Sequence, residues 1–124
     1  MTVFLTLEDL LTLVEDLGVG PIRDLGLLES AVRRPMTSVW GQEAYPDLDA
    51  KAASLLDSLV RNHALVDGNK RLGWLSTVVF YGLNGINLDA VDDDAYALVV
   101  EIASGAKLEI TDVARSLAGW CGQI

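Results

Sequence analysis

One cysteine and one histidine are all that the 124 residues hold of those types, and the three prolines are confined to the first half. Cys121 alone can form neither an intramolecular disulfide nor a cysteine-based zinc site, and a free thiol fits a reducing compartment. His63 and Asp67, at i, i+4 spacing, lack the further strong ligand that metal-dependent hydrolysis would need. No basic n-region precedes an apolar stretch in Met1 to Leu7, so no signal peptide is visible. The most apolar segment, Leu72 to Leu83, is too short to span a bilayer. From these absences a soluble, cytoplasmic protein with no membrane partner is expected. Positive charge is scarce as well: 9 Lys+Arg face 18 Asp+Glu, a formal net charge of -9. Tight nucleic-acid binding neutralises phosphates with clustered basic residues, so a nuclease or a DNA-binding module is disfavoured.

What is present is apolar. Hydrophobic residues make up 51% and charged residues 22%, enough for a core and too much for disorder. The length fits a single domain, 1–124, with a radius of gyration of roughly 14 Å. A site on so small a body is a shallow groove. No linker, repeat or low-complexity tract appears. Thr6-Leu7-Glu8-Asp9 starts a helix whose apolar face is Leu7, Leu10, Leu11, Val14 and Leu17, and Gly18 ends it. A second helix runs from Asp24 to Arg34, stopped by Pro35. Met36 to Asp47, with Trp40, Gly41, Tyr45 and Pro46, has no helical period and reads as an irregular flap with room for a short hairpin. A third helix starts near Asp47–Asp49 and runs to about His63. After a break at Asp67-Gly68, an almost wholly apolar helix from Asn69 to Leu83 is expected at the centre of the bundle. Asp92-Asp93-Asp94 opens a fifth helix that Gly105 closes, and Thr111-Asp112 caps a sixth through about Trp120. The fold class is all-α, a small bundle of about six helices, with Trp74, Phe80 and Trp120 expected in its core.

One segment concentrates polar chemistry: His63-Ala64-Leu65-Val66-Asp67-Gly68-Asn69-Lys70-Arg71. It holds the one histidine and a local positive spot in an acidic chain, since only Lys107 and Arg115 follow Arg71 among basic residues. The first N–H groups of a helix have no internal partner and sit at its positive end, which suits an anion such as phosphate. Gly68 permits close backbone approach, Lys70 and Arg71 add point and fork-shaped charge, and Asp67 can hold a divalent ion bridging phosphates. His63 can accept a proton near neutral pH. Each piece also has an ordinary reading. A lone histidine at a helix end is commonly a hydrogen-bonded structural residue, and Asp-Gly-Asn is a common turn and cap. Lys-Arg in a first turn opposes the dipole and is harder to dismiss. From these residues alone, an anion site and a plain capped turn both stand.

The segment resembles the signature of the Fic/Doc family, His-x-Phe-x-Asp/Glu-Gly/Ala-Asn-x-Arg. Its Asn69-Lys70-Arg71 ending resembles the Doc (death-on-curing) branch of toxin–antitoxin toxins, and the short length and helix order extend the similarity over nearly the whole chain. Leu65 stands at the Phe position as a conservative core anchor. Lys70 and Trp74 stand where the adenylylating branch has a second glycine and a further arginine. The resemblance implies a catalytic base at His63, Mg²⁺ on Asp67, and a phosphate cradle from Gly68, Asn69, Lys70 and Arg71, with Arg71 balancing charge during transfer. In Doc-like members the lysine goes with an altered nucleotide orientation. What is implied is therefore a protein kinase that moves the terminal phosphate of ATP to a protein hydroxyl, with elongation factor Tu as the family's known target and arrest of translation as the outcome. Nucleotidyl (AMP) transfer by the same residues, or a silent binding module, are the alternatives. The flap around Met36 to Tyr45 would position the target by backbone pairing, with Trp40 and Tyr45 themselves expected as packing residues. None of the six glutamates is followed by Gly or Asn, so the family's internal inhibitory motif is missing. A separate Phd-type antitoxin is implied in its place, with a monomer as the default state without it.

Overall fold

The computed structural model describes residues 1–106 and 108–123, and the six expected helices are all present. Helix α1 (Leu7–Leu17) is opened by a capping box in which Thr6 Oγ1 accepts from Asp9 N–H at 3.2 Å and Asp9 Oδ2 accepts from Thr6 N–H at 2.9 Å. Two orphan amides are satisfied reciprocally, and Gly18 at φ +66° turns the chain out of the helix. Asp24 caps α2 (Leu25–Arg33) through the amide of Leu27. Pro35 does not cut this helix off cleanly; it tightens the exit into a single 3₁₀ turn over Arg34–Met36. The flap that follows contains a minimal hairpin, β1 (Ser38–Val39) against β2 (Gln42–Glu43), with Trp40 and Gly41 at φ +54° and +77° in its two-residue turn. Positive φ at both turn positions matches the twist of the flanking strands.

Helix α3 (Leu48–Arg61) is the centre of the fold, not α4 (Asn69–Leu83). Lys51 to Leu56 and Ser58 to Val60 are all buried, whereas α4 leaves Lys70, Arg71, Gly82 and Leu83 exposed. Helix α3 packs on α2, α4, α5 (Asp92–Ala103) and α6 (Ile110–Gly119). The expectation failed because α3 carries small and polar residues whose burial depends on distant partners. Ala52, Ala53 and Ser54 let neighbouring helices approach closely, and Gly73 of α4 rests where a Cβ would lie 2.8 Å from Val60 Cγ2. The Lys51 ammonium, in a residue 2% exposed, donates to the Tyr45 carbonyl and pairs with Glu43 at 3.1 Å, tying the flap down.

Three further corrections concern details. The last helix begins at Ile110 with Glu109 as N-cap and no side-chain cap bond, so Thr111-Asp112 lies inside the first turn. A second two-stranded antiparallel sheet pairs β3 (Ile86–Leu88) with β4 (Cys121–Gln123) across the intervening α5 and α6, and β3 packs on α4. Trp74 is half-buried and stands edge-on to Trp120, with ring centroids 6.2 Å apart, while Phe80 is fully buried as expected. One buried polar atom, Ser76 Oγ on α4, has no hydrogen-bond partner among the described residues. Ser76→Ala removes that orphan, so urea unfolding is expected to show stability unchanged or higher by up to about 1 kcal/mol.

Candidate active site

Helix α3 ends at Arg61, two residues before the motif, and the chain then reverses twice. His63 takes φ +52° and Gly68 takes φ +95°, and Gly68 is the N-cap of α4. Asp67 therefore is not the cap of this helix, and its ordinary reading as one falls away. Between the two reversals the loop is held by the segment after α1. Gly20 N–H donates to the Asp67 carbonyl, Val66 N–H to that of Pro21, and both Arg23 and Asp24 N–H to that of Ala64, all within 2.7–3.0 Å. Ile22 and Leu65 form an antiparallel bridge in the middle. Ala64 and Leu65 are 2% and 1% exposed, so the loop is anchored inward by its apolar pair and presents its polar residues outward.

Asn69 performs the inner closure. Its Oδ1 accepts from Leu65 N–H at 3.0 Å and its Nδ2 donates to Leu65 C=O at 2.9 Å. One donor and one acceptor position of its side-chain amide are thus taken by the loop, and its backbone N–H has no acceptor within the helix. Because Leu65 is buried, Asn69→Ala strands two backbone groups. A loss of about 2–4 kcal/mol is expected in chemical denaturation.

Gly68 has a structural cause besides the ligand approach expected of it. A Cβ there would lie 2.5 Å from Cβ and Cγ1 of Val19, so the glycine makes room for a neighbouring side chain as well as for its own backbone angle.

His63, Asp67, Gly68, Asn69, Lys70 and Arg71 line one cavity of about 260 Å³, completed by Val60, Val66 and Ala103. The imidazole of His63 and the carboxylate of Asp67 are exposed and make no hydrogen bond among the described residues. The helical ladder of α4 starts with Leu72 N–H to Gly68 C=O at 2.9 Å, so the amides of Asn69, Lys70 and Arg71 have no acceptor within the helix. Arg33, Arg34, Lys51, Arg61 and Arg115 are each paired with a carboxylate. Lys70 and Arg71 have no such partner among the described residues, although they stand at the end of the helix that disfavours cations. An arriving anion would meet two free cations, three free amides and the dipole together.

Among the described residues no group of three or more His, Cys, Asp or Glu could enclose a metal ion. Asp67 offers one hard oxygen donor beside the cradle. That fits Mg²⁺, which is commonly held by one or two carboxylates with substrate phosphates and water, and does not fit zinc. Elsewhere, burial pushes the Tyr81 phenol up, helped by its 2.6 Å bond to Asp49, and burial likewise raises the Cys121 thiol. Neither is an activated nucleophile.

A second, mostly apolar groove of about 410 Å³ adjoins the first and shares Lys70 and Arg71 with it. Leu17, Trp74, Leu75, Asp92, Ala95, Tyr96 and Val99 complete it. Trp74, expected in the core, packs against it in part and also lines this groove; its place one turn after Arg71 on α4 is the signal that it faces the same side. Tyr96, 70% exposed, carried no such signal. In the flap, Tyr45 packs as expected: its hydroxyl accepts from Arg34 Nε at 2.9 Å, and Arg34 lies 5.5 Å from the ring centroid. Arg34 continues to Asp57 at 2.8 Å, and Asp57 to Arg61 at 2.6 Å, wiring the flap to the end of α3. Trp40 overturns its expectation as a packing residue, being 98% exposed at the hairpin tip.

Residues 4–81, from the start of the chain through the motif and most of α4, match the model of the Fic/DOC family. Over 124 residues the chain is 45% identical to Toxin Doc of Mycolicibacterium smegmatis, an alignment covering 97% of this chain and 95% of that protein.

Proposed function

Because this chain belongs to the Fic/DOC family, we propose that it is the toxin of a toxin–antitoxin module and a protein kinase. It would transfer the terminal phosphate of ATP to a hydroxyl of a translation factor, with elongation factor Tu as the first candidate. The observation that carries this reading is the pair of cations without acidic partners, Lys70 and Arg71, beside the free amides of α4 and across one cavity from the open imidazole of His63.

The chemistry follows from those positions. The amides of Asn69, Lys70 and Arg71 bind phosphate oxygens at the positive end of the helix. His63 accepts the proton of the attacking hydroxyl as its oxygen bonds to the terminal phosphorus, and the bond from that phosphorus to the bridging oxygen breaks to release ADP. Arg71 offsets the charge that moves onto the leaving group. Asp67 would hold Mg²⁺, which when bound neutralises phosphate charge. Lys70 supports terminal transfer over nucleotidyl transfer, because it fills space beside the amides where the adenylylating branch has glycine.

A Phd-type antitoxin suits the second groove. A helical tail lying on Trp74 and Tyr96 would cover apolar surface and reach Lys70 and Arg71 along the shared edge, closing the site to nucleotide.

Intact-mass measurement of elongation factor Tu after incubation with this protein, ATP and Mg²⁺ tests the reading. A gain of one phosphate group is expected. A gain of AMP would overturn the kinase in favour of the nucleotidyl transferase. No gain, together with undiminished toxicity of a His63→Ala variant, would leave a binding module.

A further inference from the structure

We infer that Arg23, forty residues before the motif, is a positioning residue that sets the direction of the His63 side chain; this rests on the role proposed for His63 above. Arg23 Nε donates to the His63 carbonyl at 2.9 Å, and Arg23 Nη2 donates to the same oxygen. The neighbouring carbonyl, that of Ala64, takes the backbone amides of Arg23 and Asp24 at 2.7 and 3.0 Å. Two consecutive carbonyls of the loop are thus held by two consecutive residues of the segment behind it.

The holding has a reason in the backbone. His63 is at φ +52°, and among the described residues Trp40 is the one other non-glycine at positive φ. A side-chain-bearing residue stays in that region only where its surroundings fix it. The imidazole has no hydrogen bond of its own among the described residues, so its aim is inherited from the Cα–Cβ direction. That direction turns with the peptide plane whose oxygen Arg23 grips. Arg23 is itself well placed to grip. The Ile22–Leu65 bridge precedes it, and Asp24, the cap of α2, follows it. Unlike Arg33, Arg34, Arg61 and Arg115, it has no carboxylate partner among the described residues, so its charge strengthens the bond to the carbonyl.

The single histidine makes the test direct, because its ring C–H signals in an NMR spectrum of the whole protein belong to His63 alone. Arg23→Ala is expected to shift and broaden those signals. In the transfer assay it should lower kcat about 10- to 100-fold, with KM for ATP unchanged within about twofold. Arg23→Lys, able to reach the carbonyl with one N–H, should recover part of both. Arg23→Gln serves if the alanine variant fails to fold. Unmoved His63 signals in the folded variants would overturn the inference whatever the activity, and so would moved signals with an unchanged kcat. Should the wild-type protein transfer no group, the functional reading fails by itself, while the NMR arm still decides whether Arg23 directs His63.

Discussion

Replacing His63 with alanine is expected to lower phosphoryl transfer about 10²- to 10⁴-fold in kcat, the range usual for removing a general base. KM for ATP should stay nearly constant, because the groups proposed to meet the phosphates are the α4 amides, Lys70 and Arg71, which the substitution does not touch. Stability should also hold. The ring is exposed and makes no hydrogen bond among the described residues, so its removal strands no buried partner. The one structural concern is the backbone at φ +52°. His63→Asn answers it, since asparagine tolerates the left-handed region better than most residues and has no basic group at neutral pH. Both variants should express without arresting growth. If either still modifies its target at the wild-type rate, or stays toxic at equal expression, His63 is not the base.

Much of this site could be read from the sequence because its polar members are contiguous. Nine successive residues carry the imidazole, the carboxylate, the helix start and the cations, so one loop folding back on itself suffices to gather them into one cavity. The helices were legible for a similar reason: caps such as Thr6 with Asp9, stops such as Gly18 and apolar spacing are local signals. What escaped depends on residues far apart in the chain. Arg23 meets His63 across forty positions, and nothing near Arg23 announces it. Lys51 looks like a surface lysine until Glu43 and Tyr45 are folded over it, which is also why α3 did not look like the central helix. The β3–β4 pair consists of three-residue strands that neither composition nor spacing distinguishes from loop. Trp40 erred in the other direction. Large aromatics usually pack, yet a two-residue hairpin turn pushes this one into solvent.

Gly68→Ala carries the largest expected effect on the fold of the site, and its cause can be separated experimentally. The motif pattern admits alanine at this place, so a small side chain is not forbidden in general. In this chain Val19 is the obstacle. The new methyl would lie 2.5 Å from Val19 Cβ and Cγ1, inside any normal contact distance, at a backbone angle of φ +95° that already disfavours a side chain. The angle costs about 1–2 kcal/mol and the overpacking about 1–3 kcal/mol. Val19 has little room to retreat. Its own amide bonds to the Val14 carbonyl at 3.3 Å, and the next amide, Gly20, holds the Asp67 carbonyl at 3.0 Å. Moving Val19 pulls on the segment that supports the loop, so transfer activity should fall together with stability. Urea denaturation of Gly68→Ala is therefore expected to show a loss of about 2–5 kcal/mol, a large share of what holds a domain of this size together. Val19→Ala in the same chain should return part of that loss by removing the Cγ atoms, leaving the strain of the angle and the remaining Cβ contact. A double-mutant cycle would then give a coupling of about 0.5–3 kcal/mol between a residue of the loop and a residue of the segment that supports it. Additive losses would mean that the Cγ atoms of Val19 do not oppose the methyl, and that the left-handed angle and the Val19 Cβ contact account for the glycine at the entrance to α4.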